Sequence, residues 1–217
     1  MAFQDRTDAG RRLAEALRSY RQQQPVVLAL PRGGVPVAAE VSAALGAPLD
    51  LVIARKIGVP DQPELAMGAV AEGAVPAIVR NEDVILLAGV SEAEFNRVCE
   101  GERREIERRR RRYLGDRAPI EIAGRTAIVI DDGIATGATM RAALLAVRTH
   151  KPEMLMLAVP VAPTSVLAIL RRDVDDIVCL ESPELLGAIG FFYRDFDQVS
   201  DEEVVDLLAR SRMGASR

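Results

Sequence analysis

Short, fully apolar segments alternate with helical patterns along most of the chain. Such segments are typical of strands that are buried on both faces of a sheet, and helical periodicity follows several of them. This alternation of strand and helix predicts an α/β fold with an open, mostly parallel sheet flanked by helices. The predicted strands are residues 26–30, 49–54, 127–130, 155–159 and 177–180, and the predicted helices are 35–45, 138–149, 164–171 and one from about 200.

Two features interrupt this alternation. Residues 65–71 and 75–79 have the pattern of two strands joined by the turn-like sequence 72–74. Residues 91–114 then form one long predicted helix, which Ser91 and Glu94 begin as a capping box. Its many arginines suggest an anion or nucleic-acid surface. We favour a solvated helix, because glutamates lie four residues before several arginines and pair with them at that spacing. An oligomer interface, as in a homodimer, stays open.

The composition restricts the chemistry. A chain of 217 residues is expected to form a single domain over residues 1–217. One histidine and two cysteines cannot assemble the usual zinc sites or a disulfide framework, which indicates a reducing cytoplasm and no direct metal site. The net charge of −4 argues against a nucleic-acid partner. The N-terminus lacks a signal-peptide core and no apolar run is long enough for a bilayer, so we expect a soluble, cytoplasmic protein without a membrane partner.

Two carboxylates and a turn rich in Gly and Thr follow the predicted strand 127–130. Ligands of open parallel sheets bind at the carboxyl ends of strands, and this turn lies at such an end. Its glycines let backbone amides face one point, and the helix that follows offers unpaired N–H groups to an anion. Asp131 and Asp132 would repel a phosphate, so they suit sugar hydroxyls or a cation. The segment therefore predicts a sugar phosphate site. The chain contains no P-loop, dinucleotide turn or nucleophile elbow.

The sequence V-I-D-D-G-I-A-T-G-A-T at 129–139 resembles the signature of the type I phosphoribosyltransferases. The resemblance implies a site for phosphoribosyl pyrophosphate (PRPP), with Mg²⁺ as the cofactor, which suits an oxygen-only set of ligands. It implies that Asp131 and Asp132 hold the ribose hydroxyls and that the loop after them holds the 5′-phosphate. The PRPP-binding residues implied in that loop are Gly133, Ala135, Thr136, Gly137 and Thr139. It also implies a core at about 25–180 and a small variable hood made of the chain ends, about 1–20 and 181–217.

The turn Pro31-Arg32-Gly33-Gly34 resembles the short loop with which the same family grips pyrophosphate. Gly33 and Gly34 allow close approach of backbone amides, and Arg32 supplies a bidentate donor. We therefore expect these three residues to bind pyrophosphate. Arg55 and Lys56, at the end of the predicted strand 49–54, form a second expected pyrophosphate set, for which a solvated strand end is the alternative.

The chain departs from part of the family at Ala135, where some members carry a carboxylate that acts on a purine ring. Any proton transfer to the base then needs another group. Residues 58–73 are a candidate for the family's mobile loop, and they contain Glu64 and Glu72, which we expect as catalytic carboxylates. A structural role for both glutamates is the alternative.

Half of the eight aromatic residues lie between residues 191 and 196. We expect Phe191 and Tyr193 to stack on the acceptor's base, with a small satellite core under the last helix as the alternative. Together these features predict transfer of 5-phosphoribosyl from PRPP to a small-molecule acceptor such as a purine or pyrimidine base, with release of pyrophosphate. A non-catalytic regulator that binds PRPP or a nucleotide on the same fold is the alternative.

Overall fold

Strands and helices alternate through most of the chain, as the apolar pattern predicts. The computed structural model describes residues 2–72 and 76–214. Its strands are β1 (Val26–Ala29), β2 (Leu49–Leu51), β3 (Ala54–Val59), β4 (Gln62–Ala71), β5 (Ala77–Arg80), β6 (Thr126–Ile130), β7 (Met154–Val161) and β8 (Asp176–Glu181). Its helices are α1 (Arg6–Ala16), α2 (Gly34–Leu45), α3 (Glu82–Leu87), α4 (Glu92–Leu114), α5 (Ala138–Thr149), α6 (Thr164–Leu170) and α7 (Asp201–Gly214), with short 3-10 turns at Arg18–Gln23 and Ile189–Phe192.

The main sheet has the strand order β2-β1-β6-β7-β8, and every pair in it is parallel. Each central strand is buried on both faces. In β1, Val27 and Ala29 belong to one apolar cluster, whereas Val26 and Leu28 belong to another on the opposite face. This explains why β1 is a continuous apolar run rather than an alternating one. The predicted fold class, an open parallel sheet flanked by helices, is confirmed.

A second, antiparallel sheet contains β3, β4 and β5 in that order. The sequence predicted one strand over 49–54, and this prediction is wrong, because β2 ends at Leu51 and Ala54 already begins the second sheet. The stretch 58–73, expected as a loop, contains the end of β3 and all of β4, so it is mainly a β-hairpin. The predicted turn at 72–74 and the start of the strand predicted at 75–79 fall largely outside the described residues.

Helix α4 follows its prediction closely. The Ser91 hydroxyl accepts a hydrogen bond from the Glu94 amide at 3.3 Å, and the Glu94 carboxylate accepts one from the Ser91 amide at 2.9 Å. Several of its arginines pair with glutamates one turn earlier, as in Arg109 with Glu105 at 2.8 Å. Others reach neighbouring elements, and Arg110 pairs with Glu72 at 3.0 Å. Most arginines of α4 thus form ion pairs within the chain. None of the helices in residues 2–72 and 76–214 has the length and apolar character that crossing a membrane requires.

Phe95 anchors α4 on the second sheet and offers a test of this packing. Its side chain is buried, and it lies under the guanidinium of Arg80, 4.2 Å from the ring centroid. We expect Phe95→Ala to lower the free energy of unfolding by about 3–5 kcal/mol, because it removes a buried ring and leaves a cavity. Urea denaturation measures this. The control Leu87→Ala, at an exposed position of α3, is expected to stay within about 0.5 kcal/mol of the unmodified protein. Equal losses in both variants would contradict the anchoring role.

Candidate functional site

Two glycine-bearing loops meet at the carboxyl ends of β1 and β6, which are neighbours in the main sheet. The Leu30 amide donates to the Ile130 carbonyl oxygen at 2.9 Å, so the two strands stay paired up to the start of the loops. Beyond this point the turn at Gly33 and Gly34 lies directly on Asp131 and Asp132. A Cβ atom at Gly33 would lie 2.1 Å from Asp132 Oδ2, and one at Gly34 would lie 2.8 Å from the Cα of Asp131. Only glycine fits at either position.

The loop after Asp132 leads into the N-terminus of α5. Gly137 has a φ of +80° and is the N-cap residue, and no side chain caps the helix. A Cβ at Gly137 would also meet Val166 of α6 at 2.7 Å. The first-turn amides of a helix have no partner within the helix, so an uncapped N-terminus is suited to an anion. Ala135 and Thr136 are exposed and Thr139 is half-buried in the first turn, so the predicted phosphate residues share one surface.

Gly133, in contrast, is buried beneath this surface. A Cβ there would lie 2.6 Å from the Ile189 side chain and 3.0 Å from that of Val161. The next amide, that of Ile134, donates to the Val161 carbonyl oxygen at 2.9 Å. Gly133 therefore allows the loop to pack against β7 and the segment 189–192, rather than facing a ligand.

The two adjacent carboxylates have different surroundings. Asp131 Oδ1 accepts a hydrogen bond from the Asp132 amide at 2.9 Å. Loss of solvation, together with the charge of Asp132, raises the pKa of Asp131 well above its usual range. A hydroxyl donor or a cation would stabilise the charged form of a carboxylate in this position.

Asp132 already has a cationic partner in Arg6. The Nε atom of Arg6 lies 2.7 Å from Asp132 Oδ2, and both side chains are almost fully buried. Burial raises the pKa of Asp132, whereas the charge of Arg6 and its hydrogen bond act in the opposite direction. The Tyr193 hydroxyl also donates to the Asp132 carbonyl oxygen at 2.6 Å. Arg6 was missed at the sequence level, because an arginine at the start of a helix, 126 residues from its partner, belongs to no motif.

Arg32 lies beside the first turn of α7. Its Nη1 atom is 3.5 Å from Asp201 Oδ1, and it lines a cavity of about 220 Å³ together with residues 198–202. Asp201 also accepts a hydrogen bond from the Tyr113 hydroxyl at 2.5 Å and pairs with Arg112 at 3.1 Å. The Tyr113 hydroxyl, followed by nearby arginines, lowers the pKa of Asp201. Arg32 is thus held near the site by the C-terminal helix.

The sequence predicted that Arg55 and Lys56 end a core strand, and this prediction is wrong. Both lie inside β3 of the second sheet, because the chain leaves the main sheet after Leu51. Arg55 pairs with Glu102 of α4 at 2.6 Å, and Lys56 pairs with Glu64 at 3.0 Å. The alternative of a solvated strand end is therefore also wrong for Arg55, whose partner holds it against a helix.

The two predicted catalytic carboxylates also differ in their surroundings. The Glu64 side chain, on the hairpin, is 97% exposed. Glu72 accepts a hydrogen bond from the Ile53 amide at 2.9 Å and pairs with Arg110, and burial raises its pKa. Glu72 lines a cavity of about 690 Å³ between α4 and the main sheet. Its contacts are those of a group that joins the base of the hairpin to α4.

The aromatic cluster at 191–196 is divided between surface and interior. Tyr193 is only 2% exposed and packs between Phe3 and Phe196, with ring centroids 5.3 and 4.8 Å away. Its ring therefore has no free face for a base, and the expected stacking role does not fit Tyr193. These rings form a satellite core, as in the alternative from the sequence. Its predicted place under the last helix is wrong, because the core packs against α1 and the N-terminal residues. Phe191 is 70% exposed and keeps its expected role as a prediction.

Known proteins resemble this chain in sequence and in fold. The family model described as "Phosphoribosyl transferase domain" matches residues 3–183. The "Putative phosphoribosyl transferase Rv0571c" of Mycobacterium tuberculosis (strain H37Rv) is 46% identical over 209 residues, which are 96% of this chain and 47% of that protein. The corresponding protein of strain CDC 1551 gives the same values. The chain thus spans about half the length of these curated relatives.

A solved structure covers nearly the whole chain. The crystal structure of TT1426 from Thermus thermophilus is 40% identical in sequence and has a TM-score of 0.81, covering 97% of this chain and 99% of that one. Its fold is therefore the fold described above over almost every element. Taken with the match of the family model to most of the chain, these similarities establish that the chain belongs to the phosphoribosyl transferase family.

Proposed function

We propose that the chain transfers a 5-phosphoribosyl group from PRPP to a small-molecule acceptor and releases pyrophosphate. The observation that carries this proposal is the close contact of the two glycine-bearing loops beside Asp131. One loop leads into an uncapped helix N-terminus, which suits a monophosphate, and the other carries Arg32 and the Gly33 amide, which suit a pyrophosphate. The Gly34 amide already donates to the Leu30 carbonyl oxygen at 3.1 Å, so Gly34 serves the close approach of the two loops. A molecule with phosphate at one end, pyrophosphate at the other and ribose hydroxyls between them matches this arrangement.

In this proposal each part of the site contacts a different part of PRPP. The amides of 135–137 and the Thr139 hydroxyl bind the 5′-phosphate, and Asp131 accepts a hydrogen bond from a ribose hydroxyl. Arg32 and the Gly33 amide bind the pyrophosphate. Charge-assisted hydrogen bonds contribute about 1.5–3 kcal/mol each, so four or five of them sum to about 6–15 kcal/mol before the cost of association is subtracted. This range includes the ~8 kcal/mol of micromolar affinity.

The proposed reaction is a displacement at the anomeric carbon of ribose through an oxocarbenium-like state. The bond to the pyrophosphate oxygen breaks while the bond to the acceptor nitrogen forms, and pyrophosphate leaves with the bonding electron pair. Such a reaction depends on alignment and on stabilisation of the leaving group. Ala135 offers no carboxylate to the acceptor, so its proton must pass to another group. Both predicted glutamates have a cationic partner, Lys56 for Glu64 and Arg110 for Glu72. Glu64 is the better candidate because its side chain is 97% exposed, whereas that of Glu72 is 17% exposed.

Magnesium is the cofactor that the family implies. Among residues 2–72 and 76–214, no three His, Cys, Asp or Glu side chains are placed to hold a metal ion. Asp131, whose charge is poorly solvated, fits as one oxygen ligand, and the phosphates of PRPP would supply others. Bound in this way, Mg²⁺ would neutralise charge on the pyrophosphate group. The composition predicted no direct metal site, and a magnesium ion held in part by Asp131 would depart from that prediction.

Release of pyrophosphate tests the proposal. PRPP and Mg²⁺ are incubated with the protein and a panel of purine and pyrimidine bases, and pyrophosphate is measured against reactions without acceptor. We expect release to depend on one acceptor or one class of acceptors. Tight PRPP binding without release for any base would favour the regulator, a reading that Ala135 also favours. Absence of PRPP binding would contradict both.

Asp131→Asn tests the ribose contact. Asparagine keeps an oxygen that can accept the Asp132 amide but loses the charge, so we expect PRPP affinity in calorimetry with Mg²⁺ to fall about 100-fold with little change in stability. Asp195→Asn is the matched control, because Asp195 is an exposed carboxylate of the hood. An affinity of the Asp131 variant within about threefold of the unmodified protein would rule out this contact.

Gly33→Ala tests the pyrophosphate loop. The added Cβ would lie 2.1 Å from Asp132 Oδ2, so the loop must move. We expect affinity for inorganic pyrophosphate to fall at least about tenfold, a loss of about 1.4 kcal/mol. Gly101→Ala is the control, since a Cβ at that position of α4 meets no atom within 4 Å. Unchanged pyrophosphate affinity in the Gly33 variant would count against the assignment.

A further inference from the structure

Asp201, the first residue of α7, faces two arginines at once. Its Oδ1 atom lies 3.5 Å from Nη1 of Arg32, and its Oδ2 atom lies 3.1 Å from Nη1 of Arg112, near the end of α4. The Tyr113 hydroxyl, also from α4, donates to Oδ1 at 2.5 Å. One carboxylate therefore connects the turn 31–34 (the Arg32 loop) with the long helix α4 and the C-terminal helix α7.

Asp201 is itself firmly supported. Tyr113 is only 5% exposed, so its hydroxyl reaches Asp201 from a packed ring. Further along α7, Val204 and Leu208 are buried in the apolar cluster that also contains Tyr113. The Tyr113 hydroxyl, followed by the charges of nearby arginines, lowers the pKa of Asp201, so this carboxyl is ionised at neutral pH. Asp201 thus presents a negative charge at a fixed place beside Arg32.

The contact with Asp201 leaves the Arg32 guanidinium able to bind an anion. Its length of 3.5 Å exceeds the roughly 2.7–3.2 Å of an N–H···O hydrogen bond, so the attraction is between charges and occupies no N–H donor. Asp201 also shares its charge with Arg112 and Tyr113, so it does not neutralise Arg32 as a single close pair would. Restraining a long side chain before a ligand arrives lowers the entropy cost of binding.

We propose that Asp201 is a positioning residue for the Arg32 loop. It holds the Arg32 guanidinium where the pyrophosphate group of PRPP binds, while Tyr113 and Arg112 hold Asp201 in place. Helix α7 lies beyond residues 3–183, which the family model matches, so this support comes from outside the matched region. The pyrophosphate part of this inference rests on the proposed function, whereas the restraint on Arg32 does not.

A double-mutant cycle in the affinity for inorganic pyrophosphate tests the positioning role. The variants are Asp201→Asn, Arg32→Gln and the two combined, measured by calorimetry with Mg²⁺. Asparagine can still accept the Tyr113 hydrogen bond but lacks the charge, so we expect Asp201→Asn to weaken binding about fivefold. In the Arg32→Gln background the same substitution is expected to change affinity by less than about twofold, because Asp201 acts through Arg32.

Asp206→Asn is the matched control, because it removes the same charge from an exposed position of the same helix. We expect its pyrophosphate affinity to stay within about twofold of that of the unmodified protein. Tighter binding by Asp201→Asn would show that Asp201 competes with pyrophosphate for Arg32. An equal loss with and without Arg32 would show that Asp201 acts elsewhere. Either result overturns the positioning role.

The mobility of Arg32 tests the restraint without any ligand. Nitrogen-15 relaxation of its Nε–H group is measured, with the signal assigned by its absence in Arg32→Lys. We expect the order parameter to fall below about 0.6 in Asp201→Asn and to stay unchanged in Asp206→Asn. Tyr113→Phe, which removes only a hydroxyl, is expected to lower it in the same direction and serves if Asp201→Asn does not fold. An Arg32 group that is equally ordered in these variants and the unmodified protein would overturn the restraint.

The two measurements separate this inference from the proposed function. If the unmodified protein binds no pyrophosphate, the proposed function fails and the relaxation measurement alone decides whether Asp201 restrains Arg32. If pyrophosphate binds equally well to the unmodified protein and to Asp201→Asn, the positioning role fails while the proposed function stands.

Discussion

Two loops at the ends of β1 and β6 approach each other so closely that this contact determines the arrangement of everything around it. Neither Gly33 nor Gly34 has room for a single additional carbon atom, because the backbone and carboxylate of the neighbouring loop occupy that space. Parallel pairing of the two strands brings the loops to the same edge of the sheet. This proximity is the basis for our proposal that the two loops bind both ends of one small molecule.

Charge is distributed around this contact in a consistent way. Two carboxylates side by side in a poorly solvated place repel each other, and the pairing of Asp132 with Arg6 reduces this repulsion. On the other side of the loop, Asp201 at the start of α7 holds Arg32. Elements from both chain ends therefore lie against the two loops that follow β1 and β6.

Local sequence patterns predicted those parts of the candidate site whose residues are contiguous in the chain. The strand, the acidic pair and the glycine turn before α5 are contiguous, and the Gly33 turn follows its own apolar strand, so both could be recognised. Arg6 could not, because its role comes from a contact across 126 residues. Glu72 was predicted as catalytic for a related reason: no sequence pattern reveals that Arg110 holds it. Residues 49–54 were predicted as one strand because Val52 and Ile53 continue the apolar run. These two residues are as buried as the strand before them, but they only connect the two sheets.

We have proposed that one ligand spans both loops with Asp131 as its ribose contact. A crystal structure of the protein with PRPP and Mg²⁺ is the decisive test. We expect the 5′-phosphate at the N-terminus of α5, a ribose hydroxyl on Asp131 and pyrophosphate against the Arg32 loop. Ribose without any contact to Asp131, or PRPP bound in the cavity beneath α4, would contradict the proposal.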